Sequence, residues 1–471
     1  MKLDALIGGD RGSTVTGFAI DHRKVAPGTI FGAFAGTRVD GEDYIDAAVA
    51  GGAIAVVARP EAKVTGAVHI ADPNPRERFA GLAARFFAPF PATCIAVTGT
   101  NGKTSTVELT RQLWRMQGHH AASIGTLGVT TADERVTTGL TTPDIVTFLA
   151  NVAGLAREGV THLAFEASSH GLTQYRTEGL PVAAAAFTNL SRDHLDYHGD
   201  MAAYLTAKLR LFSEVVSADG AVVVWADDVS SARVIDLAHA RGNRLITVGA
   251  RGETLRLMGR EPTLLGQTLS IEADGATHTV MLPLIGAYQA ANALTAAGLV
   301  IATGGGVKET LAGLGRLAPV RGRLERAAIN RAGAPIYVDY AHTPDAVEAA
   351  IAALKPHAAG RLIVVLGAGG DRDQGKREPM GAVAHAHADL VIVTDDNPRT
   401  EEPAAIRAEL LKGAPGAVEI GSRRDAIGYA VREAGAQDIV LIAGKGHEQG
   451  QIVGDLVLPF DDVTVARESV G

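Results

Sequence analysis

The stretch Ala96-Val97-Thr98-Gly99-Thr100-Asn101-Gly102-Lys103-Thr104-Ser105 decides how the chain is read. The apolar run Cys94-Ile95-Ala96-Val97 leads into a glycine-rich turn, then a lysine and a hydroxyl residue, then a helical segment closing at Gly118. Strand, loop and helix in that order suit a phosphate. Backbone N–H groups of the loop and helix N-terminus face the anion, Lys103 adds a point charge, and the Thr104 hydroxyl can ligate Mg²⁺. A full P-loop wants glycine at position 97, where this chain has Val97, so the motif is the shortened Gly99-Thr100-Asn101-Gly102-Lys103-Thr104. A chance glycine turn before Lys-Thr would not explain why all three elements fall in order.

Outward from this motif, 471 residues exceed a single core, and about 150 residues per domain gives about three domains. A hydrophobic content of 46% with 20% charged residues describes an ordinary globular chain. The single cysteine, Cys94, leaves no intramolecular disulfide and fits a reducing compartment. Met1-Lys2-Leu3-Asp4-Ala5-Leu6 has an early acid and no long apolar core, unlike a secretory signal. No apolar run reaches the length that spans a bilayer. A net charge of −8 argues against a general nucleic-acid binder. The expectation is a cytoplasmic protein with no nucleic-acid or membrane partner.

Alternating apolar runs and amphipathic segments indicate α/β architecture. Pro89-Phe90-Pro91 and Ala318-Pro319-Val320-Arg321-Gly322-Arg323 mark candidate boundaries. In the last third, Ile336–Asp339, Leu362–Leu366, Leu390–Val393 and Ile439–Ile442 read as buried parallel strands separated by helical sequence. Thr343 and Pro344 are an N-cap and a first helical residue for a helix to about Leu354. Polar loops follow these strands: Asp339-Tyr340-Ala341-His342, Gly369-Gly370-Asp371-Arg372-Asp373, Asp395-Asp396-Asn397-Pro398-Arg399 and Gly444-Lys445-Gly446-His447-Glu448. All four belong at the carboxyl edge of one sheet, where open α/β sheets bind ligands. Gly367-Ala368-Gly369-Gly370 lacks the spacing of a dinucleotide fingerprint.

In the middle segment, His162-Leu163-Ala164-Phe165 leads to Glu166-Ala167-Ser168-Ser169-His170. Ala184-Ala185-Ala186-Phe187 leads to Thr188-Asn189-Leu190-Ser191-Arg192-Asp193-His194. With the phosphate loop these form a second carboxyl-edge site. Glu166 ends an apolar run, where an acid must be paired or metal-bound. Mg²⁺ near nucleotide phosphates supplies such a partner. His194 and His198 have a spacing that zinc uses, but no cysteine is nearby and the neighbours are carboxylates, which favours Mg²⁺ or structural histidines. By composition Lys208 is a helix-surface lysine.

These motifs, with Ser168-Ser169-His170-Gly171-Leu172, Thr188-Asn189-Leu190-Ser191-Arg192-Asp193-His194-Leu195-Asp196-Tyr197-His198, Gly322-Arg323 and Asp339-Tyr340-Ala341-His342-Thr343-Pro344-Asp345, closely resemble those of the Mur ligases. These are the ATP-dependent amide-forming ligases of peptidoglycan precursor synthesis. The resemblance covers nearly the whole chain and implies three α/β domains: a smaller N-terminal UDP-binding domain (1–88), a central P-loop-type ATPase domain (89–322) and a C-terminal Rossmann-like domain that brings the amino acid (323–471). It implies ATP contacts at Gly99, Thr100, Asn101, Gly102, Lys103, Thr104, Ser105, Asn292, Arg323 and Asp339. Ile20, His22 and Thr37-Arg38-Val39 would hold the UDP part. The family often has serine where this chain has His22 in Asp21-His22-Arg23. Thr141, Thr142, Ser168, Gln174 and Arg176 would contact the muramoyl-dipeptide. The resemblance also changes the reading of Lys208, which CO₂ would convert to a carbamate able to ligate a second Mg²⁺, with Glu166, His194 and Thr104 sharing the metal work.

The implied reaction starts with attack of the D-glutamate γ-carboxylate of UDP-N-acetylmuramoyl-L-alanyl-D-glutamate on the γ-phosphate of ATP. Lys103 and Mg²⁺ would offset the repulsion of two anions. An amine then displaces phosphate. The Asp396-Asn397-Pro398-Arg399 form implies meso-diaminopimelate, because Arg399 can hold a second carboxylate that lysine lacks. Arg372, Gly444 and Glu448 would complete that site. The competing readings are an L-lysine-adding ligase, a folylpolyglutamate synthase with a similar phosphate loop, and a nucleotide-regulated binding module. A monomer is expected.

Overall fold

The run Thr93–Thr98 is a strand, as the phosphate-loop motif requires, and it lies at the centre of a parallel sheet. Val182–Phe187 pairs on one side and His162–Glu166 on the other, both parallel to it. Val216–Trp225 and Arg244–Gly249 extend the first side, and Ala121–Gly125 extends the second. Central strands are covered on both faces, which is why Cys94-Ile95-Ala96-Val97 and Ala184-Ala185-Ala186-Phe187 are apolar without alternation. Register brings Phe187 opposite Thr98 and Glu166 opposite Val97. The segments after all three strands therefore leave from one edge.

The computed structural model describes residues 1–8, 12–36, 39–131, 134–136, 141–263 and 266–470. Two compact units are present, Met1–Arg256 with Leu294–Thr310, and Leu257–Ala293 with Leu311–Gly471. The division falls within the strand Leu255–Thr263 and the helices Ala287–Ala302 and Val307–Leu314.

The first unit also contains a four-stranded parallel sheet, ordered Gly17–Ala19, Thr29–Gly32, Ala53–Ala58 and Val68–Ala71. Helix Pro75–Phe87 starts on a proline, whose missing N–H costs nothing there, and buries Phe79, Ala80, Leu82 and Ala83. Helix Ala287–Ala302 runs close to the central sheet at Gly298, where an added Cβ would lie 2.8 Å from the Val223 side chain. Cys94 is buried, and burial pushes its thiol up to about 12.

In the second unit a six-stranded sheet runs Glu325–Ile329, Pro335–Asp339, Ile439–Ala443, Leu362–Leu366, Leu390–Val393, Val418–Glu419. The first pair is antiparallel and the rest are parallel. The strands expected from the apolar runs are all here, Leu362–Leu366 and Leu390–Val393 with the expected limits. Thr343 caps helix Pro344–Leu354, its side chain accepting from the Ala346 N–H. A hairpin, Gly266–Ala273 with Ala276–Leu282, turns at Asp274-Gly275, both with positive φ, as a two-residue hairpin turn demands. No helix among the described residues is long and apolar enough to cross a membrane.

One ion pair fastens the C-terminal helix. Arg423, on helix Arg423–Glu433, donates from Nε and Nη2 to Asp462 at 2.7 Å each, and both side chains are fully buried. Removing one partner leaves an uncompensated charge in a dry interior. Arg423→Met should therefore lower the unfolding free energy of this unit by about 3–5 kcal/mol in urea titrations. Adding Asp462→Leu should recover most of that loss.

Candidate active site

The phosphate loop is held by the segment that follows Val182–Phe187. Thr100 N–H donates to the Asn189 carbonyl at 2.9 Å, and Asn101 N–H to Asn189 Oδ1 at 2.9 Å. Thr188 Oγ1 donates to the Asn101 carbonyl at 2.6 Å. Gly99 has φ +149°, and a Cβ there would lie 1.8 Å from Thr188 Oγ1. Gly102, with φ +85°, stands at the N-cap of helix Lys103–Met116. Both glycines are thus required by geometry as well as by motif. Thr104 and Ser105 are buried in the first turn of that helix.

Two lysines meet at this loop. Lys103 Nζ donates to the carbonyls of Gly99 (3.0 Å) and Thr100 (2.8 Å). Lys208 Nζ donates to the same Gly99 carbonyl at 2.7 Å. Composition made Lys208 a surface residue of its helix, and the structure overturns this: it is 1% exposed. Its ammonium lies 4.3 Å from the centre of the Tyr204 ring, and the Tyr204 hydroxyl is 3.3 Å from Thr100 Oγ1. Burial, and then the Lys103 charge, hold the Lys208 amine well below the usual lysine range, with Asp193 opposing. The sequence held no local sign of this, since Gly99, whose carbonyl its ammonium meets, is distant along the chain.

Glu166 ends its strand and is 2% exposed. Its carboxylate accepts from Thr126 N–H (2.7 Å) and Oγ1 (3.3 Å). Around it gather residues expected to meet the muramoyl-dipeptide. Thr142 Oγ1 donates to the Glu166 carbonyl (3.0 Å) and accepts from Ser168 N–H (3.2 Å). Thr141 Oγ1 lies 3.1 Å from Thr126 Oγ1. Arg176 donates to the Thr142 carbonyl (2.9 Å) and to Gln174 Oε1 (2.6 Å), while Gln174 reaches the Tyr197 hydroxyl (3.2 Å). Burial lowers the Arg176 pKa, with Asp144 opposing, so this cation gains from an anion brought to it.

His194 takes a left-handed backbone, φ +52°, with its ring 4.8 Å from His170 and 3.4 Å from Asp193 Oδ2. His198 instead pairs with Ser169 Oγ at 3.0 Å. Among the described residues no group of three or more His, Cys, Asp or Glu side chains forms a metal cage. The oxygen donors near the loop, Thr104 and Glu166, are hard and few. That fits Mg²⁺, which usually takes one or two protein ligands and completes its shell with phosphate oxygens and water.

The expected uridine-side residues that are described follow strands Gly17–Ala19 and Thr29–Gly32 of the four-stranded sheet. His22 stacks on Tyr44, ring centres 4.4 Å apart at 12°. Ile20 and Val39 are exposed, and Thr37 and Arg38 lie outside the described residues.

In the second unit, two of the three residues expected at ATP, Asn292 and Arg323, are linked by one that was not foreseen. Gln289 donates to the Arg323 carbonyl (3.0 Å) and accepts from Asn292 Nδ2 (3.3 Å). Asp339 accepts from Leu324 N–H (2.7 Å) and Ala341 N–H (2.9 Å), and from the Tyr288 hydroxyl. Burial pushes the Asp339 carboxyl up to about 6 against the pull of Arg323.

The amino-acid loops also converge. Asn397 Nδ2 donates to Glu448 Oε2 at 2.8 Å. Arg399, φ +53°, donates from Nη1 to the Gly370 carbonyl at 2.7 Å. Pro398 packs on Gly370, whose added Cβ would lie 1.9 Å from the Pro398 carbonyl oxygen. Asp396 is buried and bounds Gly444, where a Cβ would lie 2.5 Å from Asp396 Oδ2. Arg372 is exposed beside them.

Residues 14–86 match the Mur ligase family catalytic domain, 97–300 the Mur ligase middle domain and 322–446 the Mur ligase glutamate ligase domain. The chain belongs to the Mur ligase family. This Mur ligase is 59% identical over 460 residues to the UDP-N-acetylmuramoyl-L-alanyl-D-glutamate--2,6-diaminopimelate ligase of Zymomonas mobilis, covering 97% of this chain and 95% of that one. A solved structure of an enzyme of that name is 33% identical, with TM-score 0.75 over 100% of this chain and 98% of that chain. Folylpolyglutamate synthase of Mycobacterium tuberculosis complexed with ADP has TM-score 0.64 at 20% identity, over 83% of this chain and 92% of that one, a likeness of fold alone.

The Gly99 geometry yields a direct test. Gly99→Ala in this Mur ligase should displace Thr188 and abolish ATP-dependent phosphate release, while circular dichroism stays that of the wild type. A folded variant with near-normal phosphate release would remove the phosphate-loop assignment.

Proposed function

We infer that the chain joins meso-diaminopimelate to UDP-N-acetylmuramoyl-L-alanyl-D-glutamate at the expense of ATP, in peptidoglycan precursor synthesis. The observation that carries the choice of amino acid is that Arg399 and Glu448 stand in loops at one sheet edge, in a chain that matches diaminopimelate ligases along nearly its whole length. A guanidinium suits the distal carboxylate and a carboxylate suits the distal ammonium. L-Lysine offers only the ammonium.

The γ-carboxylate of the D-glutamate residue attacks the γ-phosphorus of ATP, ADP leaves, and an acyl phosphate forms. The amine of diaminopimelate attacks the acyl carbon, the C–O bond to phosphate breaks, and the amine gives up a proton. Lys103 supplies positive charge where the two anions meet. Thr142, Ser168, Gln174 and Arg176 orient the dipeptide, and Arg176 holds an anionic part of it. Asn292, Arg323 and Asp339 serve the nucleotide, while Ile20, His22 and Val39 serve the uridine side. Mg²⁺ ions shared among Thr104, Glu166 and His194, the second ligated by a carbamate on Lys208, would lower the repulsion between the reacting anions.

The carbamate forms when the neutral Lys208 amine adds to CO₂ and releases a proton, giving a nitrogen-bound carboxylate. Burial beside Lys103 favours the neutral amine that this addition needs. A domain plan of 1–88, 89–322 and 323–471, a monomer and a cytoplasmic location complete the reading. The cytoplasm supplies ATP, and the single buried thiol suits its reducing conditions.

Two measurements test this. Wild type should show a kcat/KM for meso-diaminopimelate far above that for L-lysine, and Arg399→Ala should lose most of that preference, about 2–5 kcal/mol in transition-state terms. Equal use of L-lysine by the wild type would sink the substrate assignment and leave the ligase assignment standing. Lys208→Ala should be inactive, with partial recovery on adding a small carboxylate. A fully active Lys208→Ala enzyme would contradict the carbamate.

A further inference from the structure

Lys445 sits between Gly444 and Gly446, just after strand Ile439–Ala443, and is 0% exposed. An ammonium removed from water must find compensating partners. Those of Lys445 all lie in the amino-acid loops. Its Nζ donates to Asn397 Oδ1 at 2.8 Å and to Glu448 Oε2 at 3.3 Å, and lies 3.7 Å from Asp396 Oδ1.

These contacts set orientations. Asn397 Oδ1 also accepts from Ile452 N–H at 2.9 Å, while its Nδ2 donates to Glu448 Oε2. Asn397 is 4% exposed, so its amide is locked among protein partners. Glu448 Oε2 receives both Lys445 and Asn397, which turns that oxygen inward. Oε1 makes neither of these bonds, and the Glu448 side chain is 34% exposed. From the other side, the hairpin Gly450–Val453 with Leu456–Pro459 clamps the same loop. Gln451 Nε2 donates to the Asp396 carbonyl (2.7 Å), Arg399 N–H to the Ile452 carbonyl (3.0 Å), and Gly454 N–H to the Arg399 carbonyl (2.7 Å).

We propose that Lys445 is a positioning residue for the amino-acid substrate, its buried ammonium holding Asn397 and Glu448 so that one Glu448 oxygen faces the incoming distal ammonium. This rests on the reading of these loops as the diamino-acid site. Without the Lys445 charge, Glu448 and Asp396 lose the cation beside them, Asn397 Oδ1 loses a donor, and Glu448 keeps only the Asn397 bond to hold its orientation. Lys445 acts on the ammonium side, which meso-diaminopimelate and L-lysine share. Arg399 acts on the carboxylate side, which they do not.

The test is steady-state kinetics of the full chain with Lys445→Met, whose side chain keeps similar length without charge. The KM for meso-diaminopimelate should rise about tenfold or more. The KM values for ATP and the UDP-muramoyl-dipeptide should stay within about twofold, and the ratio of kcat/KM for the two diamino acids should change far less than in Arg399→Ala. A loss of active enzyme alone would lower kcat and leave KM unmoved. In a Glu448→Gln background, Lys445→Met should add little further rise in KM, since the residue through which it acts is already impaired. An unchanged KM for the diamino acid in a folded Lys445→Met enzyme would overturn the proposal, as would a rise that is equally large in the Glu448→Gln background. Lys445→Gln, which keeps a donor for Asn397, carries the same expectation if the methionine variant does not fold. Failure of both to fold would make Lys445 a structural residue and end the proposal. A wild type that rejects meso-diaminopimelate would defeat the substrate reading instead, and the KM comparison would then be made with the diamino acid it accepts.

Discussion

Two amines share one carbonyl oxygen, that of Gly99. Such an arrangement opposes itself, because like charges at this separation repel strongly where water is excluded. The repulsion is relieved by deprotonating one amine or by bringing an anion between them. Both remedies suit the proposed ligase chemistry, in which a phosphate would meet Lys103 and a carbamate would replace the amine of Lys208. The Gly99 geometry, the Thr188 contact and the Tyr204 ring all serve to hold the two lysines at that oxygen.

Parallel sheets then supply the economy of the design. In each unit the central strands run parallel, so the polar loops that follow them emerge at one edge. The first unit gathers the phosphate loop, Glu166 and the residues proposed for the muramoyl-dipeptide there. The second gathers Asp339 with the residues proposed for the nucleotide, and Asn397, Arg399 and Glu448 with those proposed for the amino acid. Each group also has a hydrogen-bonding neighbour that binds its members to one another: Thr126 beside Glu166, Gln289 beside Asn292 and Arg323, Lys445 beside Asn397 and Glu448.

What could be read from the sequence follows from this division. Buried parallel strands are nearly unbroken apolar runs, so Leu362–Leu366 and Leu390–Val393 announce themselves locally. The phosphate loop is legible because its glycines, lysine and threonine are contiguous. Thr343 and Pro344 are legible because capping is local. Lys208 was illegible from composition, because Gly99 and Tyr204 decide its burial and Gly99 is remote in sequence. The resemblance singled it out where physics of the local sequence did not. Lys445 stood in a quoted loop without a role, since nothing local distinguishes a buried lysine between two glycines from an exposed one. Gln289 and the stacking of His22 on Tyr44 are likewise products of tertiary packing.

The inertness of Cys94 has a practical corollary. Its sulfur is enclosed at the start of the central strand and its ionisation is suppressed, so it reacts poorly with thiol-directed reagents. The native chain is therefore a blank background for such labels. A cysteine introduced on any exposed loop would carry a fluorophore or spin label at one defined place, and a pair of them would report a distance in solution, without first removing a native thiol.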